Sequence, residues 1–267
     1  MSEHPAYGEL RPVTGYASVL LADNPSPMTL DGTNTWILRE PGSASSVVVD
    51  PGPGDAEHLR RVADRGPVSL VLLTHHHGDH TDGVAEFVGL TGAKVRALDP
   101  SLCRDAEPLT DGELIRAGGL ELRVLETAGH TADSVCFAAE HDEPAVFTGD
   151  SVLGRGTTVV AHPDGHLGSY LDSLRRLIEL PEGVRALPGH GPELPDVRAA
   201  AEHYLQHRRG RLEQVRSAVA ELGSEATPRQ VVEIVYADVD RSVWPAADLT
   251  VRAQLTYLAE RGELPAG

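Results

Sequence analysis

The sequence predicts an α+β protein in two unequal parts, residues 1–194 and 195–267. Three observations carry this. Short apolar and β-branched runs alternate with helix-like stretches up to about residue 188, and from Pro195 the pattern turns helical. The length of 267 residues, at ~150 residues per domain, fits one large unit and one small one. The composition, 40% apolar and 24% charged with 27 Gly and 19 Pro, is globular and rich in turns.

The elements follow in order. Residues 18–22 and 34–39 read as strands around a turn-rich loop, 23–33. The β-branched run 46–50 is a third strand, ended by Pro51-Gly52-Pro53-Gly54. Asp55 is placed to N-cap a helix running to about Arg65. Residues 68–73 form a buried-type strand, and a helix is expected over 82–90. Strands are expected at 94–98, 120–126, 134–138 and 145–148. Residues 168–180 place Leu171, Leu174, Leu177 and Ile178 on one helical face, and 184–187 is a last short strand. The tail reads as a long helix over 196–222 stopped by Gly223, a helix from Thr227-Pro228 to about Tyr236, a third from about Pro245 to Arg261, and a short strand-like end.

Charge and composition exclude several classes. The formal charge of −17 opposes nonspecific nucleic-acid binding. Residues 195–267 hold 9 Arg and 11 Asp plus Glu, so most of the excess lies before them. Lys94 is the single lysine. Two cysteines, Cys103 and Cys136, make no disulfide framework and are expected to be reduced, Cys136 in the core. No basic stretch followed by an apolar one opens the chain, and apolar runs such as 70–73 are far shorter than the ~20 residues that span a bilayer. A cytoplasmic protein without membrane contact is the expectation.

The strongest chemical signal is His75-x-His77-x-Asp79-His80, directly after an apolar strand. In an extended segment residues i and i+2 face the same side, so His75 and His77 can offer two imidazoles to one metal. Gly78 permits a turn that brings Asp79 and His80 to a neighbouring point. Imidazole and carboxylate at this density suit Zn²⁺, and also Fe or Mn. A closed structural zinc site fits less well, because such sites favour Cys and four protein ligands. Three later positions share one format, a metal-capable residue after Gly near a strand end: Gly129-His130, Gly149-Asp150 and Gly189-His190. Together these supply enough ligands for two metals without saturating both, which leaves room for water.

The ordered set His75, His77, Asp79, His80, His130, Asp150 and His190 resembles the metallo-β-lactamase-fold hydrolases. The resemblance implies an αββα sandwich with its site at one edge of the two sheets. It implies that His75, His77 and His130 hold one metal, that Asp79, His80 and His190 hold the other, and that Asp150 bridges them. Two cations ~3.5–4 Å apart repel, and a shared carboxylate and hydroxide offset this. Zinc lowers the pKa of bound water to ~7. Asp79 is the expected catalytic residue, orienting the hydroxide and passing a proton to the leaving group. Members that hydrolyse β-lactams typically carry Cys or Ser where this chain has Asp150; an Asp resembles the phosphodiesterase, nuclease and thioesterase branches.

More of the chain is similar to the β-lactamase-like protein 2 family. The matching segments are 24–35, 149–154 with 156–159, 187–192, and a tail with His207-Arg208, Val232 to Tyr236 and the final helix. There the tail is a winged-helix-like domain, and the likeness covers nearly everything from about residue 16. It implies cleavage of single-stranded RNA, as in the animal members, or thioester hydrolysis, as in fungal relatives that release polyketides from carrier proteins. Arg208, Arg209, Arg211 and Arg216 could track phosphates, or form a solvated face with Glu202 and Glu213. His203 and His207 stand i, i+4, where packing, or phosphate contact by His207, is the expectation. Thr157 and Thr158 could bind a substrate anion or end a strand. His4, His58, His141, His162 and His166 lack ligand spacing and read as surface residues.

The expected activity is therefore that of a dinuclear zinc hydrolase acting on a phosphodiester of single-stranded RNA. A thioester or other acyl hydrolase is the alternative. Its glyoxalase II version is supported by Thr74-His75-His76-His77 but lacks a counterpart of that family's basic glutathione-binding tail. A second alternative is a nucleic-acid-binding regulator with a vestigial metal site.

Overall fold

The computed structural model describes residues 7–223 and 225–264; His4 lies outside them. Strands β1 (Leu10–Pro12), β2 (Ala17–Leu21), β3 (Asn34–Leu38), β4 (Ser46–Val49), β5 (Val68–Leu72) and β6 (Lys94–Arg96) pair in sequence order into one six-stranded sheet. Strands β7 (Leu114–Ala117), β8 (Leu120–Glu126), β9 (Val135–Ala139), β10 (Ala145–Gly149) and β11 (Arg185–Pro188) form a five-stranded sheet in the order β11-β10-β9-β8-β7.

The strands are apolar on both faces because both faces are covered. In β3 and β4, Trp36, Leu38, Val47 and Val49 point between the sheets, where they meet Leu122, Val124, Phe137 and Phe147. The alternate residues Ile37 and Val48, with Val71 of β5, pack under helices α1 (Ala56–Ala63) and α3 (Val84–Thr91) through Leu59, Val62 and Phe87. On the far side, Cys136 and Val146 pack under α4 (Leu167–Ile178). The layers are helix, sheet, sheet, helix, so the expected α+β sandwich is the fold.

The same far-side core continues without a break from α4 through α5 (Val197–Leu222) and α6 (Pro228–Val235) to α7 (Trp244–Glu260), joining Tyr170, Val215, Val232 and Val251. Helix starts follow local chemistry. Asp55 accepts from the Glu57 and His58 N–H groups, Asp196 from the Ala199 N–H, and Thr227 with Gln230 forms a capping box at Pro228. Gly223 ends α5 at φ 87°.

Four features differ from the sequence reading. β1 and β7 were not expected; both are short, and β1 ends on Pro12 at a sheet edge. The helix expected over 82–90 is present as α3, and it is preceded by an unexpected single turn, α2 (Gly78–Thr81). Residues 157–160 end no strand. No strand follows α7 up to Leu264, the last described residue.

β4 pairs parallel to β5, β5 to β6 and β10 to β11. Parallel pairing gathers the carboxyl ends of β4, β5, β10 and β11 at one edge of the sandwich. No helix among the described residues is long and apolar enough to cross a membrane.

Candidate metal centre

Each carboxyl-end loop delivers a ligand-capable side chain. Thr74 to His80 follow β5, His130 follows β8, Asp150 follows β10 and His190 follows β11. Their donor atoms converge. His75, His77 and His130 form one group, Asp79, His80 and His190 a second, and His75, His80 and Asp150 a third, each with its donor atoms within 4.8 Å of one another.

In the first group, His77 Nδ1 stands 3.1 Å from both His75 Nε2 and His130 Nε2. Tetrahedral Zn–N bonds of ~2.0–2.1 Å place ligand atoms about 3.3 Å apart, so the spacing suits one cation. In the second group, Asp79 Oδ2 lies 3.1 Å from His190 Nε2 and 3.4 Å from His80 Nε2. Asp150 stands between the groups: Oδ1 is 3.5 Å from His80 Nε2, and Oδ2 is 3.7 Å from His130 Nε2 and 3.4 Å from His190 Nε2.

The outer ring nitrogens are held by fixed partners, which aims the inner ones. His130 Nδ1 donates to the Val159 carbonyl at 2.7 Å, and His190 Nδ1 to the Gly32 carbonyl at 3.0 Å. His80 Nδ1 stands 2.8 Å from Asp50 Oδ2, and Thr74 Oγ1 is 3.0 Å from His75 Nδ1. Such outer contacts set tautomer and orientation at metal sites.

Electrostatics divides the two groups. Burial pushes the His75 imidazole far down, assisted by His80; burial and then His130 push His77 down to about 4; burial also lowers His130 against the pull of Asp150. All three are shifted toward the neutral imidazole, the form that binds a cation. Burial also opposes charge on His80 and His190, but carboxylates outweigh it: Asp50 and Asp150 hold His80 well above its ordinary value, and Asp150 and Asp79 hold His190 at about 9. Burial pushes Asp79 and Asp150 up, and their histidine partners overcome it, keeping both carboxyls well below the usual range. The site is thus built around concentrated negative charge. Asp150 Oδ1 is buried with no hydrogen-bond partner, an acceptor that a cation would satisfy. The residues fit a metal.

Asp50 escaped the sequence reading. It ends the run 46–50 at φ 52°, accepts from the Thr74 N–H at 2.8 Å and from the Thr74 hydroxyl at 2.6 Å, and braces His80. The available signal was a carboxylate at the carboxyl end of the strand beside β5. His76 was also passed over: exposed at the rim, it lies 2.8 Å from Asp133 and 3.8 Å from Asp164.

The expected substrate contacts fare differently. Arg208 is 3% exposed and donates to the Thr158 carbonyl, and Thr158 is buried with its hydroxyl donating to the Asp150 carbonyl at 2.7 Å. Both side chains face inward, away from solvent. Thr157 and His207 are half-buried, and His207 Nδ1 has no partner. His203 is exposed. His58, expected at the surface, is buried against Thr35 Oγ1 at 2.9 Å. Of the α5 arginines, Arg216 pairs with Glu213 and Glu263, and Arg211 donates to the Val235 carbonyl, which removes them from phosphate tracking.

The sequence profile of the metallo-beta-lactamase superfamily matches residues 28–190, and that of the beta-lactamase associated winged helix domain matches 227–263. The chain belongs to the metallo-beta-lactamase superfamily. Within it, the chain is 32% identical over 267 aligned residues to the Beta-lactamase-like protein 2 homolog of Drosophila melanogaster, covering 92% of this chain and 88% of that one. The structure of a Beta-lactamase domain protein from Burkholderia ambifaria superposes with a TM-score of 0.81 at 25% identity, over 98% of this chain and 91% of that one. TTHA1623, solved in a di-iron-bound form, matches with a TM-score of 0.53 at 25% identity, over 69% of this chain and 95% of that one. The protein is a metal-dependent hydrolase of this superfamily, with a His/Asp cluster able to bind metal.

Proposed function

We propose that the protein holds two divalent cations, zinc with Mn²⁺ or Fe as substitutes, and hydrolyses phosphodiester bonds of single-stranded RNA. The observation that carries the two-cation reading is the position of Asp150, whose Oδ2 stands between His130 of one group and His190 of the other, while Oδ1 faces His80. His75, His77 and His130 would hold one cation, Asp79, His80 and His190 the other, with Asp150 shared. The di-iron form of TTHA1623 supports a paired centre. The RNA half of the proposal is supported by likeness to the β-lactamase-like protein 2 family along almost the whole chain, tail included.

When bound, such cations supply Lewis acidity and make water acidic enough to ionise near pH ~7. The chain's own part falls to Asp79. Its side chain is 28% exposed, where those of His80 and His190 are buried, so it is the carboxylate of the second group that solvent reaches. Asp79 Oδ2 is tied to His190 and His80, which fixes the group's orientation. It can therefore align a water for attack and hand its proton to the departing oxygen.

A second reading, thioester hydrolysis, is favoured by a specific observation: three of the four α5 arginines suited to phosphates, Arg208, Arg211 and Arg216, have partners within the chain, and the chain carries −17. One assay separates them. Protein loaded with Zn²⁺ or Mn²⁺ is offered labelled single-stranded RNA, an acyl-CoA and S-lactoylglutathione. RNA cleavage that Asp79→Ala lowers by about 10²–10⁴ supports the proposal. Turnover of the thioesters alone supports the second reading, and equal RNA cleavage by both proteins rejects the first.

A further inference from the structure

Residues 150–159 form no helix or strand, yet they touch the metal cluster at three points. Asp150 is itself part of the cluster, the Val159 carbonyl accepts from His130 Nδ1, and the Gly154 N–H donates to the His190 carbonyl at 2.9 Å. Side chains from two helices behind the segment fasten it. Tyr170 of α4 donates to the Ser151 carbonyl at 2.8 Å. Tyr204 of α5 accepts from the Leu153 N–H at 3.1 Å and donates to its carbonyl at 3.3 Å. Arg208 of α5 donates through Nη2 to the Thr158 carbonyl, and Thr158 passes the connection to the Asp150 carbonyl through its hydroxyl.

Arg208 is an unusual member of this set. It is a buried cation without a carboxylate partner among the described residues, and its Nε is unpaired. Its Cζ lies 5.3 Å from the centre of the Tyr170 ring, so the guanidinium meets an aromatic ring as well as a carbonyl. A planar guanidinium offers a face to the ring and a rigid fork of donors to the carbonyl; an ammonium on its flexible stem reproduces that geometry less well. Burying an unpaired charge is costly, and what it secures here is the segment between two parts of the cluster.

We infer that Arg208 is a positioning residue of the metal centre, through which the long helix α5 holds Asp150 and the carbonyl that aims His130 in the arrangement that receives a cation. The inference rests on the metal-holding reading of the cluster and on no choice of substrate. The tail thereby acts on the site from behind, through the protein interior.

The test is zinc affinity, measured on the full chain by competition with a chelating dye, together with the absorption spectrum of the Co²⁺-substituted protein. Arg208→Met and Thr158→Val are each expected to weaken zinc binding by about 10–100-fold, the effect usual for contacts behind a metal ligand, and to alter the Co²⁺ spectrum. Arg208→Lys should fall between Arg208→Met and wild type. Val215→Ala, in the apolar packing of the same helix, should lower the melting temperature while zinc affinity stays within about twofold. Wild-type zinc affinity in both Arg208→Met and Thr158→Val would overturn the inference. So would an equal loss in Val215→Ala, because the effect would then be general destabilisation. If the Arg208 variants do not fold, Thr158→Val decides alone, since it removes one hydrogen bond and no charge. A wild-type protein that takes up no zinc or Co²⁺ would instead overturn the metal reading itself.

Discussion

His58 is 4% exposed and burial pushes its imidazole down to about 4. An unfolded histidine titrates near ~6.5, so protonation favours the unfolded chain. The neutral ring's contribution is complete above about pH 6.5 and is lost as pH falls from there toward 4. Over that window it is worth roughly 3 kcal/mol at ~1.36 kcal/mol per pH unit. Denaturant unfolding of wild type and His58→Asn should show a stability gap at pH 8 that narrows as pH drops below ~6.5; a constant gap would contradict this. His58 also marks what is legible residue by residue. The metal-cluster residues are readable because imidazole and carboxylate after a strand have few other uses. His58 sits on a helix of charged residues, and its type does not say which way it faces. Arg208 was obscured likewise, by charged neighbours on α5. Asp50 before Pro51-Gly52 reads equally as a turn former, and only the pairing of β4 with β5 turns it toward Thr74.

Among the elements, the turn after β11 leaves no spare room. A Cβ at Gly189 would sit 2.7 Å from Asp150 Oδ1 and 2.8 Å from His80 Cε1. Gly189→Ala therefore pushes two members of the cluster apart while leaving the strands alone. It should lower zinc affinity by at least about tenfold with an unchanged far-ultraviolet circular dichroism spectrum; unchanged affinity would mean the turn yields. Long elements were legible within a residue or two: α5 lies between its cap Asp196 and Gly223, and β8 spans Leu120–Glu126 as expected. The short strands β1 and β7 were not. β7 has four residues, although Gly118-Gly119 between it and β8 is a hairpin signal. The 150–159 segment has no periodicity to read; its shape is imposed by Tyr170, Tyr204 and Arg208.

Across the whole molecule, the layer order follows from strands apolar on both faces, which need a sheet on one side and helices on the other. The sequence placed a change of pattern near residue 195, and the far-side core runs through that point from Val146 to Leu258. Periodicity reports where helices begin; it does not report that α5 packs on α4 and reaches the loop behind the cluster. The excess of acids before residue 195 likewise reads as surface charge, while Asp50, Asp79 and Asp150 gather it around the cluster. On the two-cation proposal, this charge is arranged to receive a pair of metal ions. Anomalous diffraction at the zinc edge from crystals of zinc-loaded protein tests it directly. Two peaks are expected, one enclosed by His75, His77 and His130 and the other by Asp79, His80 and His190, with Asp150 touching both. A single peak, or peaks away from Asp150, would contradict it.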